Sequence, residues 1–488
     1  MKRKMPVIVL GLIAIALFSR SGFAAEGEIF TLDEYLEQVE KNNPELKSVD
    51  LSIQAMEKKV LELEMVYSPV FSAGYNYTDD KSGAGFGSTL PAKEMKAGAY
   101  TLGLNKKFFT GSTVGVGYTS SRAKFDLFSP TKIIGDEELS GFTGYEIKPF
   151  LHVEQSLLRD FSSGLTQLGI KKAKAAARAG QYLQLFKRQQ ILMQARSAYW
   201  SLVLTREVIL SRKVSLERAE KLLKWNEKRV NMDLADRGDL LQTQAAAKLR
   251  QLNLELALED EVKAGRRFNE LRGISAEVIE EELEKLAYRV SYYAKVETLS
   301  RTGERADVLA ARAAYENSQY ADRETYYRAL PEIVLSGSAS LHGLGLKYAD
   351  AQSQIDHADK PVYALGIALI VPLDYRTLTE VKKGFKLDFL AAKESLAKAE
   401  LSAKNEWEQL LRTWTNLKLR VKLATEIREI QDQRVLDEQF KFERGRTTTF
   451  QLLTAENDLD EALINVYRLT WEELLTYAQT EFYNTKPL

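Results

Sequence analysis

The stretch that decides the fold lies at 69–77 and reads PVFSAGYNY. From position 71 onward its odd positions are apolar or aromatic, and the positions between them are small or polar. Alternation with a period of two predicts a β-strand that has one apolar face and one polar face. The stretch at 331–339, PEIVLSGSA, repeats the proline and begins a similar alternation that continues to Leu341. This match indicates an internal duplication of the chain.

Each half of the duplication contains a second alternating stretch, at 145–153 in the first half and at 363–369 in the second. The first half is longer between its strands, and apolar alternation on both sides of Thr110-Gly111-Ser112 predicts an additional hairpin there. Soluble, half-buried strands show the same alternation. The sequence leaves open whether the hairpin joins a barrel wall or projects from it.

Proline and glycine, which interrupt helices, are distributed unevenly along the chain. No proline occurs in 150–330 or in 373–486, so these two regions are predicted to be helical. Beyond position 384, Gly445 is the only glycine, which predicts a turn between two long helical arms. The stretch 385–444 alone leaves room for a helix of roughly 90 Å at about 1.5 Å per residue.

The N-terminus has basic residues at 2–4, an apolar run at 7–18 and small residues before Glu26. This pattern is typical of a secretory signal peptide, which we predict for residues 1–24 with cleavage after Ala24 or Ala25. A membrane anchor is the alternative, but the apolar run is too short to cross about 30 Å of hydrocarbon as a helix.

The mature chain is predicted to consist of two structural repeats. The first, at 25–303, contains a helix, strands with the extra hairpin, a long helical hairpin and a connector. The second, at 304–488, contains a helix, strands and a long helical hairpin. A strand pair in each half cannot close a barrel, and an open strand edge cannot face lipid, so we expect the chain to oligomerise. Three copies with four strands each would supply twelve strands.

Composition excludes several classes of function. The chain has no cysteine, so disulfides, thiolate metal sites and thiol catalysis are excluded. It has 68 basic and 68 acidic residues, without the basic excess that a nucleic-acid partner requires. His152, His342 and His357 are scattered, and no nucleophile with a base and an orienting group emerges. We therefore expect no catalytic residue, no cofactor, no metal site and no nucleic-acid partner.

Several short motifs, taken in order, resemble those of the TolC-like outer membrane efflux protein family. The resemblance covers nearly all of the mature chain, from about Phe30 to Phe482. The motifs are FTLDEY at 30–35, NNPEL at 42–46, YSP at 67–69, QSLLR at 155–159, RAD at 305–307 and VPL at 371–373. The motif at 305–307 stands where an Arg-Pro-Asp is usual in the family. The specificity lies in the order of the motifs and not in any one of them.

The resemblance implies a mostly α-helical fold with β-structure, in which two internal repeats each supply a strand pair and a long helical hairpin. Members assemble as homotrimers into a twelve-stranded transmembrane β-barrel that is continued by a periplasmic α-helical barrel. The implied function is that of an outer-membrane channel subunit in a tripartite export system, a passive conduit and not an enzyme. The implied partners are outer-membrane lipid, a periplasmic adaptor protein, an inner-membrane pump, and exported small molecules or polypeptide.

The turns between the helical arms are predicted to form the periplasmic tip, at 232–239 in the first half and 442–446 in the second. The candidate gate residues are Asp236, Arg237, Asp239, Phe442, Arg444, Arg446 and Gln451. In a threefold ring each charge is repeated, so a few residues create a strong local field that can hold the end shut or favour cations. Solvated turn residues of ordinary hairpins are the alternative interpretation.

The resemblance carries over to the tip only in part. Asp239 occupies a position where the family commonly has an aspartate, and Phe442 stands where an aperture tyrosine is found. Gln451 and Thr454 fall where well-known members have two aspartates, so this chain lacks that acidic ring.

Two other classes of protein compete with the channel interpretation. A periplasmic or surface coiled-coil spacer or adhesin would explain the helices and the signal peptide, but not the strands at matching places in both halves. A secreted enzyme is disfavoured because no convergent polar site emerges. The sequence does not distinguish drugs, metals and secreted protein as cargo.

Overall fold

The computed structural model describes residues 29–82, 92–132, 138–234, 236–277, 279–286, 296, 298–358 and 360–486. The signal peptide predicted for 1–24 lies outside these residues. Within them the chain is mostly helical with one antiparallel sheet, as the sequence predicts. In the described ranges, no helix is both long enough and apolar enough to cross a membrane.

The helices of the described residues include two of unusual length, which fall in the regions without proline. The helices are α1 (Leu32–Asn42), α2 (Pro44–Lys59), α3 (Leu61–Glu64), α4 (Gly164–Asn231), α5 (Arg237–Leu271), α6 (Ala306–Ala329), α7 (Tyr348–Asp356), α8 (Tyr375–Glu443) and α9 (Thr449–Ala478). Helix α4 has 68 residues and α8 has 69, so the second exceeds the stretch of 385–444 allotted to it from the sequence.

The strands found in the described part of the chain all belong to one sheet. They are β1 (Val70–Asp80), β2 (Ala92–Lys107), β3 (Ser112–Lys132), β4 (Glu138–Ser156), β5 (Glu332–Leu341), β6 (Gly343–Gly345) and β7 (Pro361–Ile370). Their order in the sheet is β1-β2-β3-β4-β5-β7, and the short β6 pairs with β4 beyond the end of β5. Every pairing is antiparallel.

The four strands predicted from alternation lie within β1, β4, β5 and β7, and the predicted extra hairpin is formed by β2 and β3. Both strands of the hairpin lie in the same sheet as the four predicted strands, between β1 and β4. The chain turns between them at Gly111, whose φ of 81° favours glycine. A Cβ at this position would lie 2.1 Å from the carbonyl oxygen of Asp160, so the turn has no room for a side chain.

The chain divides into two compact units. The helical unit consists of Leu192–Glu297, Asn416–Leu475 and the chain up to Asn43. The sheet unit consists of Pro44–Ile191, Thr298–Thr415 and the chain from Thr476 onward. Helices α4, α8 and α9 contribute residues to both units.

In the helical unit, the opening motif FTLDEY has a structural role. The Thr31 hydroxyl accepts a hydrogen bond from the Glu34 backbone N–H, and the Glu34 carboxylate accepts one from the Thr31 backbone N–H. This capping box starts α1. The Tyr35 ring is fully buried, stacks on Phe268 with a centroid distance of 4.1 Å, and donates its hydroxyl to the Phe268 carbonyl oxygen at 3.0 Å. The motif therefore fixes α1 against the end of α5.

In the sheet unit, α6 packs against the first part of α4. Tyr182 of α4 is buried against Leu309, Ala310 and Ala313 of α6. The RAD motif lies just before α6, where the Arg305 guanidinium binds Asp307 at 2.7 Å and also pairs with Glu406. These ion pairs join the start of α6 to α8 within the unit.

Candidate functional site

The predicted tip is formed by two turns in the helical unit. In the first, the Leu234 backbone N–H donates to the Arg229 carbonyl oxygen at 2.8 Å, and the Arg229 guanidinium donates back to the Leu234 carbonyl oxygen at 3.1 Å. The first bond satisfies a carbonyl group at the end of α4, and the second holds the turn against the helix end. Asp236 then takes the extended N-cap conformation that starts α5.

The second turn ends α8 at Gly445, whose φ is 68°. The Gly445 N–H donates to the Phe442 carbonyl oxygen at 3.0 Å, and the Arg446 N–H donates to the Lys441 carbonyl oxygen at 2.9 Å. A left-handed glycine with such bonds is a common helix ending. The sequence-predicted turn at Gly445 therefore lies where α8 stops.

The predicted gate residues differ in their exposure. Asp236, Arg237, Arg444, Arg446 and Gln451 are exposed, and Asp239 is half-buried in the first turn of α5. Phe442 has an exposed fraction of only 6% and packs with residues of α4 and α9. Its ring joins the ends of the two helical hairpins, with partners Leu222, Leu452 and Leu453.

Gln451 belongs to a hydrogen-bonded group at the start of α9. The Thr447 hydroxyl lies 2.8 Å from the Glu438 carboxylate and also contacts the Gln451 side-chain oxygen. The hydrogen bond from Thr447, with a second from Lys441, lowers the pKa of Glu438 below its ordinary value. Glu438, which lies on α8 just before the second turn, therefore stays ionised to lower pH than an ordinary glutamate.

Exposed apolar side chains surround both turns, a feature that the charge pattern of the sequence did not reveal. Met232 and Leu234 are 66% and 64% exposed, and Phe440 and Phe450 are 50% and 63% exposed. The Arg444 guanidinium lies 3.6 Å from the Phe440 ring centroid. Exposed apolar groups rimmed by charge are typical of a protein–protein contact surface.

A buried ionic cluster behind the turns escaped prediction from the sequence. Asp460 of α9 has an exposed fraction of 1% and binds Arg218 of α4 at 2.8 Å and Arg250 of α5 at 3.1 Å. The Ser215 hydroxyl also donates to Asp460. Asp460 therefore joins one helical hairpin to the other within the helical unit.

Glu456 lies one turn before Asp460 on α9 and is also buried. Burial raises the pKa of Glu456, and the positive charges of Arg218 and Arg250 offset part of that rise, whereas Asp460 adds to it. A carboxyl whose pKa is raised by burial lowers the stability of the fold when it ionises.

The sheet unit contains a separate candidate surface, formed by the outer strands β1 and β7. Every residue of β7 is exposed, as is every residue of β1 except Asp80. The most exposed apolar side chains on β7 are Leu365, Tyr363 and Ile367, at 89%, 77% and 73%. They are alternate residues and therefore share one face of the sheet.

Among the described residues, no group of three or more histidine, cysteine, aspartate or glutamate side chains could hold a metal ion.

The sequence matches no protein-family model and no curated protein. Its fold, however, matches solved outer-membrane channels along most of the chain. The outer membrane protein VceC from Vibrio cholerae matches with a TM-score of 0.66 at 16% identity, covering 93% of this chain and 97% of VceC. The MtrE outer membrane channel of Neisseria gonorrhoeae matches with a TM-score of 0.65 at 15% identity, covering 93% and 89%.

The outer membrane channel CmeC of Campylobacter jejuni matches with a TM-score of 0.62 at 12% identity, covering 93% of this chain and 85% of that chain. These similarities show that the chain has the fold of TolC-type outer-membrane efflux channels. The resemblance drawn from the ordered sequence motifs is thereby confirmed at the level of the fold.

The pKa shift of Glu456 predicts a pH-dependent mutant effect. The pKa of Glu456 is higher in the folded protein than in the unfolded chain. Ionisation of Glu456 therefore lowers the free energy of unfolding as pH rises above the ordinary carboxyl range. Glu456→Gln should therefore raise the free energy of unfolding by roughly 1 kcal/mol at pH 8 and leave it unchanged at pH 4. Denaturant unfolding of the detergent-solubilised protein at both pH values measures this difference.

The matched control is Glu461→Gln, which removes an exposed carboxyl from the same helix and should leave stability unchanged at both pH values. An equal gain from Glu456→Gln at pH 4 and pH 8 would contradict the assignment of the shift to burial of this carboxyl.

Proposed function

We propose that the chain is the subunit of a channel in the bacterial outer membrane, acting as a homotrimeric, passive conduit and not as an enzyme. In this proposal the sheets of three copies close a transmembrane β-barrel, and the long helical hairpins continue it as a periplasmic α-helical barrel. The two repeats at 25–303 and 304–488 would each supply strands and one hairpin. The similarity of fold to outer-membrane channels over 93% of the chain supports the proposal.

The observation that carries the proposal is the exposed apolar face of β7, an outer strand of the sheet. Leu365 is 89% exposed, and Tyr363 and Ile367 on the same face are nearly as exposed. In water such a strand would offer both an apolar surface and a row of unpaired backbone groups for aggregation. Pairing with another copy satisfies the backbone groups, and contact with lipid covers the apolar face.

The direction of the outer strands fits a ring of identical copies. Because six long strands alternate in direction, β1 and β7 are antiparallel. The β7 strand of one copy can therefore form an antiparallel ladder with β1 of the next. Such a head-to-tail contact closes into a ring when the rotation between copies is right.

The ends of the helical hairpins support a docking role. Met232, Leu234, Phe440 and Phe450 are exposed there, next to charged turn residues. We propose that this surface binds a periplasmic adaptor protein in a tripartite system with an inner-membrane pump. The exported cargo would be small molecules or, by type I secretion, a polypeptide.

Channel activity can be tested in planar bilayers with protein extracted from envelopes in detergent. We expect the unmodified chain to form discrete conductance steps. Ile367→Lys places a charge on the lipid-facing side of β7, where a lysine costs roughly 2–4 kcal/mol at mid-bilayer, so we expect loss of most pore-forming activity. Ala368→Lys places the same charge on the opposite face and should retain conductance.

A water-soluble, non-conducting wild-type protein would contradict the channel proposal and favour a coiled-coil spacer. Equal activity of the two lysine variants would contradict the assignment of the lipid-facing side.

We also propose that Asp236 and Asp239 place rings of negative charge at the hairpin ends of the trimer. Three copies of each carboxylate at a constriction favour cations. Asp236→Asn and Asp239→Asn should therefore lower the cation-to-anion permeability ratio, which reversal potentials in asymmetric salt measure.

The charge-removing control is Glu461→Gln, an exposed site farther along α9. A permeability ratio that stays unchanged in both aspartate variants would leave Asp236 and Asp239 as ordinary turn residues.

A further inference from the structure

We propose that the hairpin of β2 and β3 belongs to the lipid-facing wall, so that three copies close a barrel of eighteen strands and not twelve. This inference rests on the proposed channel function. It changes the bore of the channel, because barrel diameter grows roughly linearly with strand number. An eighteen-stranded wall would be about one and a half times as wide as a twelve-stranded one.

The first support is the pairing of the hairpin. Strand β2 pairs with β1 along the whole length of β1, from Val70 opposite Asn105 to Asp80 opposite Met95. Strand β3 pairs without interruption with β4 from Ser112 opposite Gln155 to Asp126 opposite Gly141. The hairpin therefore separates β1 from β4 over the full height of β1, and a wall that includes β1 and β4 in this arrangement includes the hairpin.

The second support is the base of the hairpin, which is fixed at the start of α4. The Lys107 ammonium at the end of β2 lies 2.6 Å from the Asp160 carboxylate and 2.8 Å from the Thr166 hydroxyl. Asp160 also accepts the Thr166 backbone N–H at 2.9 Å. The Ser163 hydroxyl donates to the Phe108 carbonyl oxygen at 3.0 Å. The base of the hairpin is thus fixed to the start of α4 and to the segment that joins β4 to α4.

The third support is the register of the two faces. Residues directly opposite one another on neighbouring strands point to the same side of a sheet. One such row crosses all six long strands and consists of Phe71, Leu104, Val116, Leu151, Ala339 and Tyr363. The apolar face of β1 and β7 therefore continues without a break through the hairpin.

The opposite face of the hairpin is small and polar. Ser72 of β1 lies opposite Gly103 of β2, which lies opposite Gly117 of β3. The next row on this face carries Thr101 and Thr119. This alternation of apolar and small or polar residues is that of a transmembrane barrel strand with a lipid side and a lumen side.

The fourth support is the exposure of the apolar side chains on the hairpin. On the hairpin, Tyr100, Leu102 and Leu104 are 62%, 46% and 45% exposed. These values match those of the flanking strands, where Phe71 is 67% and Leu151 is 43% exposed. The exposed apolar side chains of the hairpin thus need the same cover as Phe71 and Leu151, and in this proposal lipid provides it.

The last requirement is an even number of strands in each copy. A hairpin adds two strands, so the count per copy stays even and β1 and β7 remain antiparallel. The short β6 does not add a strand to the count, because it pairs with the same edge of β4 as β5 does. It lies beyond the end of β5 along that edge. Six strands from each of three copies make eighteen.

The cysteine-free chain allows a direct test with single-cysteine variants carrying a fluorophore. The protein is reconstituted in vesicles of ordinary or bromine-substituted phosphatidylcholine, whose acyl chains quench on contact. Labels at Leu102→Cys and Leu104→Cys should be quenched several-fold more than labels at the matched lumen-side positions Ala99→Cys and Thr101→Cys. Labels at Phe71→Cys and Ile367→Cys report on β1 and β7.

Quenching at 71 and 367 without quenching at 102 and 104 would overturn the eighteen-stranded wall and leave the channel proposal standing. No quenching at any of the four positions would overturn the channel proposal itself. Electron cryomicroscopy of the unmodified protein in nanodiscs gives a second measurement that depends on no variant. Eighteen strands in the wall are expected, and a count of twelve would contradict the inference.

Discussion

An exposed strand edge presents a row of unpaired N–H and C=O groups, and this constraint governs the sheet unit. In β1 and β7 the unpaired edge coincides with apolar side chains, most clearly at Leu365 and Tyr363. Soluble proteins protect such edges from pairing with other chains by placing charged residues or proline on them, or by covering them with another element. Here the outer strands carry neither a cover nor a charge among Val70–Thr78 and Val362–Ile370. These features support the proposal that another copy and lipid complete the sheet.

The helical unit meets a different constraint, since its long hairpins must keep a fixed register against each other. An apolar interface alone would allow one hairpin to slide along the other by a helical turn, because Leu and Ala recur along each helix. Asp460 removes that freedom by binding Arg218 and Arg250 from the neighbouring hairpin. A buried charge left without its partners costs several kcal/mol, so alternative registers are penalised. Phe442, packed against Leu222 and Leu452, fixes the hairpin ends in the same arrangement.

The sequence predicted the local features of the fold well, because they depend on local patterns. Alternation located β1, β4, β5 and β7, and a lone glycine located the end of α8 at Gly445. The position of the β2–β3 hairpin in the sheet depends on pairing between strands, which a local period does not encode. The same holds for Asp460, whose partners lie more than two hundred residues away on other helices. The family resemblance predicted an aperture position for Phe442, whereas its burial depends on packing against residues of the neighbouring hairpin.

The central claim is that β7 of one copy pairs with β1 of the next, and disulfide cross-linking tests it most directly. Chains carrying Gly74→Cys in β1 together with one of Ala364→Cys, Gly366→Cys or Ala368→Cys in β7 scan the register on one face of the sheet. We predict that at least one pair, oxidised in native envelopes, gives covalent dimers and trimers and nothing larger on denaturing gels. Monomers alone in all three pairs, or a ladder that continues beyond three copies, would contradict the claim.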